Sequence, residues 1–236
     1  MTKIPPGFAI AIDGTMGVGK STAAKLLAQM LGITYIDTGA MYRAVALYNV
    51  QNGTELSNPT AVESSLQNIN IDLRYAEGAQ RVFLNGQDVT GLIRTQEISD
   101  VTSQYVAVNE AVRQKLVAQQ QEMAKTGAVV MDGRDIGSRV LPWAQVKIYL
   151  DASPQIRAHR RTLELESKGQ PANYETVLEE TILRDERDKS RQISPLVQTP
   201  DAILIDTGHM TPREVAAKIA EIVKECLTCS TKPCDS

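Results

Sequence analysis

Short apolar runs alternate along this chain with longer stretches whose apolar positions recur at helical spacing, the pattern of a parallel sheet wrapped by helices. Residues 8–12 (Phe-Ala-Ile-Ala-Ile) predict a buried strand, and residues 20–31 a helix with Ala23, Leu26, Leu27 and Met30 on one face. A second strand is predicted over 33–36, followed by a helix starting near Ala40 that carries Val45 and Leu47 and stops at Asn52-Gly53. Residues 128–131, 146–150 and 202–205 complete a set of five strands. The expected fold class is therefore α/β, one parallel sheet with helices on its faces.

The segment 58–98 breaks this rhythm. Ile69, Ile71, Leu73 and Tyr75 alternate with polar residues, residues 81–84 form another run, and Asn85-Gly86 is a strong hairpin turn. A small antiparallel insert is expected there, with residues 1–57 and 99–227 forming the core and 228–236 a polar tail. Ser153-Pro154 is a good helix start, because serine caps and proline at the first position gives up an amide that has no partner anyway. Thr211 and Glu214 make a capping box before Val215, Ile219, Ile222 and Val223.

Composition narrows the function classes. A length of 236 residues suits one core plus an insert, and 25 basic against 28 acidic side chains leave a net charge of -3. That balance argues against general affinity for nucleic acid or anionic membrane, so any anion must be bound locally. No apolar run reaches the roughly 18 residues of a membrane span. The apolar stretch before Asp13 is a poor secretion signal. Cys226, Cys229 and Cys234 all lie near the C-terminus, with no partner half-site and no nearby histidine for zinc, and the body of the chain has no disulfide framework. A cytoplasmic monomer is the expectation. His159 and His209 stand beside no nucleophile and are read as ordinary residues.

Gly14-Thr15-Met16-Gly17-Val18-Gly19-Lys20-Ser21 matches the phosphate-loop pattern G-x-x-x-x-G-K-[ST], between the first strand and the first helix where that motif belongs. Its glycines let backbone N–H groups turn toward a polyphosphate at the helix N-terminus, with Lys20 reaching the terminal phosphates, Ser21 on magnesium and Thr22 following. The base-reading Asn-Lys-x-Asp of guanine-specific switches is absent. Instead, Asp37-Thr38-Gly39-Ala40-Met41-Tyr42-Arg43 follows the second strand and Asp132-Gly133-Arg134-Asp135-Ile136-Gly137 the third, both at strand C-terminal ends where open sheets bind ligands. Asp37 and Asp132 can each hold magnesium through water or cap the turn after its strand.

Taken together, these strings resemble the cytidylate kinase family, and the likeness continues through 93–97 (Ile-Arg-Thr-Gln-Glu) and 146–152 to Arg184 and Arg191. The resemblance implies a sheet of the phosphate-loop NTPase type, the 58–98 insert in the acceptor-binding region, and a helical lid over about 157–173. It also implies transfer of the ATP γ-phosphoryl group to CMP or dCMP with Mg²⁺. It assigns Thr38, Tyr42 and Arg43 to the acceptor nucleotide, Arg43 clamping its phosphate with a planar fork. Ser103, Arg113 and Asp135 fall at base-reading positions; a carboxylate accepts from the cytosine amino group and would repel a uracil oxygen. Arg134 reaches the acceptor phosphate or the base edge. Arg184 and Asp188 match sugar contacts and Arg191 a phosphate contact. Lys20, Arg134, Arg184 and Arg191 supply the positive charge for transfer.

The charged helix around Arg184, Arg187 and Arg191 also reads as a solvated face with Asp185, Glu186 and Asp188, and the resemblance is what tips Arg184, Asp188 and Arg191 toward function. Arg160 or Arg161 is expected at the ATP phosphates. The alternatives are a phosphate-loop kinase of another small acceptor, or a nucleotide switch.

Overall fold

The structure is a computed structural model that describes residues 4–76 and 79–229. In chain order the elements are β1 (Ala9–Gly14), α1 (Lys20–Leu31), β2 (Thr34–Asp37), α2 (Thr38–Gln51), α3 (Pro59–Ser65), β3 (Ile71–Ala76), β4 (Ala79–Leu84), β5 (Gln87–Asp88), α4 (Gln96–Val101), α5 (Glu110–Lys125), β6 (Val129–Gly133), β7 (Val146–Asp151), α6 (Pro154–Ser167), α7 (Tyr174–Ser190), β8 (Ile203–Asp206) and α8 (Pro212–Cys229). The chain divides into two compact units, one of residues 1–35 and 124–236 and the other of residues 36–123.

The first unit is built on the five-stranded sheet of order β2-β6-β1-β7-β8, with β1 parallel to both β6 and β7 and β7 parallel to β8. All of β1 is buried, which is why its sequence runs apolar without alternation. Ile10, Ile12, Val130, Ile148 and Leu150 pack with Leu27 of α1 and Ile219 and Val223 of α8. The strands run one or two residues past their apolar runs, because pairing belongs to the backbone: β1 continues through Asp13 and Gly14, β2 through Asp37 and β8 through Asp206. This extension carries carboxylates to the C-terminal edge of the sheet. Gly14 has to be glycine, since a Cβ there would lie 2.1 Å from the Leu150 carbonyl oxygen.

The helix starts follow the sequence signals. Ser153 accepts from the Ile156 amide at 3.3 Å, and Thr211 and Glu214 exchange the two bonds of a capping box. Helices α6 and α7 are separated at Gly169, whose φ of 71° lies in the left-handed region.

The second unit holds the antiparallel sheet β3-β4-β5. Asn85 and Gly86, with φ of 50° and 84°, form the two-residue turn from β4 to β5, as the Asn-Gly pair requires. The 58–98 segment lies within a larger unit because α2 and α5 share its core: Met41, Val45 and Leu116 pack with Ile71, Val82 and Leu84.

Candidate active site

In the first unit the phosphate loop turns between β1 and α1, with Gly17 and Gly19 at φ of 81° and 87°. Lys20 is buried and donates to the Thr15 carbonyl at 2.6 Å. Burial, and after it the positive charge of Arg134, hold the Lys20 pKa well below the ordinary lysine value. Ser21 donates its hydroxyl to Asp132 Oδ2 at 2.7 Å, and Tyr35 donates to the other oxygen at 2.8 Å. Thr22 is exposed in the first turn of α1, and Met16 and Val18 contribute backbone carbonyls that other residues bind from behind.

The loop after β6 is tied to β1 by Asp13. Its carboxylate accepts from the Ile136 amide at 2.8 Å and the Gly137 amide at 2.7 Å. Burial raises its pKa to about 6 against those two bonds, which favour the charged form. Asp135 is buried at the start of the π-helical turn Ile136–Val140. Arg134 donates through Nε to Asp188 Oδ2 at 2.7 Å, and Arg191 bonds the other Asp188 oxygen. Burial opposes the Asp188 charge, yet Arg134, Arg191 and Arg184 together hold its pKa below the usual carboxylate range. Lys20, Arg134, Arg184, Asp188 and Arg191, expected from sequence, are thus one electrostatic cluster, with Asp13 and Asp132 inside it.

Helix α6 holds its three arginines in different settings. Arg157, where the lid was expected to begin, is 2% exposed and forks onto Asp185 of α7. Arg160 donates to the Thr207 and Gly208 carbonyls at 2.7 and 3.2 Å, and Arg161 pairs with Glu164 on the surface.

In the second unit Asp37 acts as a cap. Its Oδ1 accepts from the Ala40 amide at 2.9 Å, and its carboxylate receives Arg43 at 3.2 Å and Arg94 at 3.5 Å. Of the two aspartates considered for magnesium, Asp132 is the one beside Ser21, while Asp37 is the one that caps its turn. Thr38 is buried in the first turn of α2. Arg113 lies 5.5 Å from the Tyr42 ring centroid and donates to the Ala107 carbonyl at 3.3 Å. Ser103 sits in a second π-helical turn, Thr102–Val106, with a buried hydroxyl that has no hydrogen-bond partner among the described residues.

Three participants escaped the sequence reading: Asp13, the Arg157–Asp185 pair and Arg94. Asp13 carried a signal, being a carboxylate that ends a wholly apolar run, and Arg94 lies in the 93–97 stretch that shares the family likeness. Cys226 is half-buried with Sγ 3.7 Å from the Gln145 carbonyl. The Cys229 side chain and Cys234 lie outside the described residues, among which no cluster of metal-binding side chains occurs.

The sequence profile of the family described as Cytidylate kinase matches residues 10–225. A cytidylate kinase of Geobacillus sp. (strain WCH70) is 47% identical over 216 residues, covering 92% of this chain and 96% of that protein. One of Bacillus subtilis (strain 168) is 46% identical over 218 residues, covering 92% and 97%. Among solved structures, an uncharacterized protein from Eubacterium ventriosum ATCC 27560 is similar with a TM-score of 0.50 at 12% identity, covering 93% of this chain and 99% of that one; it supports the fold alone. On the profile and the identities, the chain belongs to the cytidylate kinase family of phosphotransferases.

Proposed function

We propose that the chain transfers the γ-phosphoryl group of ATP to CMP or dCMP, giving ADP and CDP or dCDP. The observation that carries this is the cluster of Lys20, Arg134, Arg184 and Arg191 around Asp188, next to a phosphate loop, in a chain of this family. Phosphoryl transfer through a loose transition state asks the protein for alignment and charge neutralisation and little else. Residues 14–19 present backbone N–H groups to the ATP phosphates, and Lys20 leaves the Thr15 carbonyl to meet the terminal ones. Arg134, Arg184 and Arg191 neutralise charge on the transferring and accepting phosphates, while Asp188 keeps them in place and takes its share of sugar binding.

The acceptor nucleotide is read by Thr38, Tyr42, Arg43, Ser103, Arg113 and Asp135. Its phosphate is already an anionic nucleophile, so no general base is needed. Magnesium fits the oxygen pair of Ser21 and Asp132: the Ser21 hydroxyl would ligate it directly and the Asp132 carboxylate would hold it through a water, and it would supply positive charge against the phosphates. The stretch from about 157 to 173 acts as a lid that excludes water from ATP, hinged at the break near Gly169 and anchored by the buried Arg157. Arg160 and Arg161 are the arginines it brings to the nucleotide. The enzyme works as a monomer in the cytoplasm, where ATP and CMP are both available.

A coupled assay for ADP release tests the reading. Release should depend strongly on CMP or dCMP and on Mg²⁺; release indifferent to CMP would mean a switch, and release driven by another acceptor would move the specificity elsewhere.

A further inference from the structure

A phosphate loop binds through N–H groups that point inward, and because the peptide unit is planar and trans, each such N–H lies opposite the carbonyl of the residue before it. Holding those carbonyls outward therefore aims the amides before any nucleotide arrives. Besides the Thr15 carbonyl, which takes Lys20, two of them are held by residues outside the loop and α1. The Met16 carbonyl accepts from Arg157 Nη1 at 3.0 Å, and the Val18 carbonyl lies 3.1 Å from the Thr207 hydroxyl. Their opposite amides belong to Gly17 and Gly19.

Neither holder is an incidental surface group. Arg157 is 2% exposed and spends its other donors on the Ala152 carbonyl at 2.9 Å and on both oxygens of Asp185. Its own Cβ backs directly onto the loop, so that a Cβ at Gly17 would come within 3.2 Å of it. Thr207 is 1% exposed, and its amide is fixed to the Asp151 carbonyl at 2.8 Å. Its hydroxyl shares its proton between Val18 and the Asp151 carbonyl, at 3.2 Å, and accepts from Arg160 Nη1 at 3.5 Å.

We propose that Arg157 and Thr207 are positioning residues that fasten the Met16 and Val18 carbonyls from behind and so preset the Gly17 and Gly19 amides for the ATP phosphates. The inference rests on the phosphate-loop reading above. It separates the two ends of ATP: the phosphates depend on these residues and adenosine does not. It also gives the start of α6 a task distinct from lid closure, since Arg157 is anchored between β7, the loop and α7.

The probes are inorganic tripolyphosphate and adenosine, each measured as an inhibitor competing with ATP. Thr207→Val keeps the shape and removes the hydroxyl. It should weaken tripolyphosphate about 5- to 10-fold, the loss of one hydrogen bond, leaving adenosine within about twofold and the KM for CMP unchanged. Thr207→Ser should restore the wild-type value, which a loss of packing would not allow. Arg157→Lys keeps a charge for Asp185 but loses the fork, and should cost tripolyphosphate at least as much; if it does not fold, the Thr207 pair decides alone. Equal losses for both probes, no loss, or failure of serine to rescue would overturn the proposal. Lys20→Ala separates the underlying reading: if it too leaves tripolyphosphate binding intact, the phosphate-loop assignment itself fails, whereas loss with Lys20→Ala but not with Thr207→Val sinks only the positioning role.

Discussion

Arg134 Nε donates to Asp188 Oδ2 across 2.7 Å, joining the loop after β6 to helix α7, with Asp188 only 1% exposed. This carboxylate organises the positive charge of the site. Removing its charge leaves Arg134 and Arg191 facing each other without their anion. Asp188→Asn should therefore destabilise the fold by about 3 kcal/mol, the usual result of breaking one side of a buried pair, together with a fall in kcat. Urea unfolding and steady-state kinetics on one preparation check it, and a variant as stable as wild type would place Asp188 outside the framework.

Lys20 is the opposite case. It is buried, its pKa is held down, and it donates to the Thr15 carbonyl, a bond that the proposed phosphate binding would replace. Lys20→Ala should abolish transfer without loss of stability, because a strained charge is removed and no apolar core is emptied. Activity within a few-fold of wild type would remove Lys20 from the transfer step.

The sequence made the strands, the glycine-rich loop and the hairpin legible because each is written locally: an apolar run, glycines at fixed spacing, an Asn-Gly pair. Helix α1 begins and ends where its pattern does, at Lys20 and Leu31. The relationships that hold the site together are not local. Asp13 finds its amides more than a hundred residues away, Arg157 finds Asp185 on the next helix and Met16 far upstream, and no spacing rule marks such partners. Asp37 shows the same limit from the other side. Its position at a strand end suits both magnesium and a cap, and no spacing rule foretold that Arg43, Arg94 and the Ala40 amide converge on it.

Asp13 gives a pH dependence whose sign is fixed. Its pKa is raised from 3.8 to about 6, mainly by burial, with Asp135 adding repulsion and Lys20 attraction. Between those values the folded chain holds a proton that the unfolded chain has released, so the stability that Asp13 contributes is full below pH 3.8 and is lost as pH rises through about 6. The loss is on the order of 3 kcal/mol. Asp13→Asn cannot titrate, and the difference in unfolding free energy between it and wild type should shift in favour of the variant from pH 4 to pH 7 by about that amount. A difference independent of pH would show that Asp13 is ionised throughout.

Base discrimination is assigned to Asp135, which is buried beside the arginine that holds α7. If its carboxylate accepts from the cytosine N4 amino group, Asp135→Asn keeps the size of the side chain while offering an N–H that can turn toward a uracil O4. CMP should lose a charge-assisted hydrogen bond in a closed site, worth about 1.5 to 3 kcal/mol, or roughly a 10- to 150-fold fall in kcat/KM. UMP should lose less or gain. The ratio of the two kcat/KM values is the quantity to measure, because a distorted enzyme would lose both together and leave the ratio where it was. The neighbouring carboxylate of Asp13 sharpens the test, since its repulsion of Asp135 is relieved in the variant and any general improvement in folding would again act on both substrates alike. An unchanged ratio would transfer base reading to Ser103 and Arg113 and leave Asp135 as an anion that supports the site's arginines.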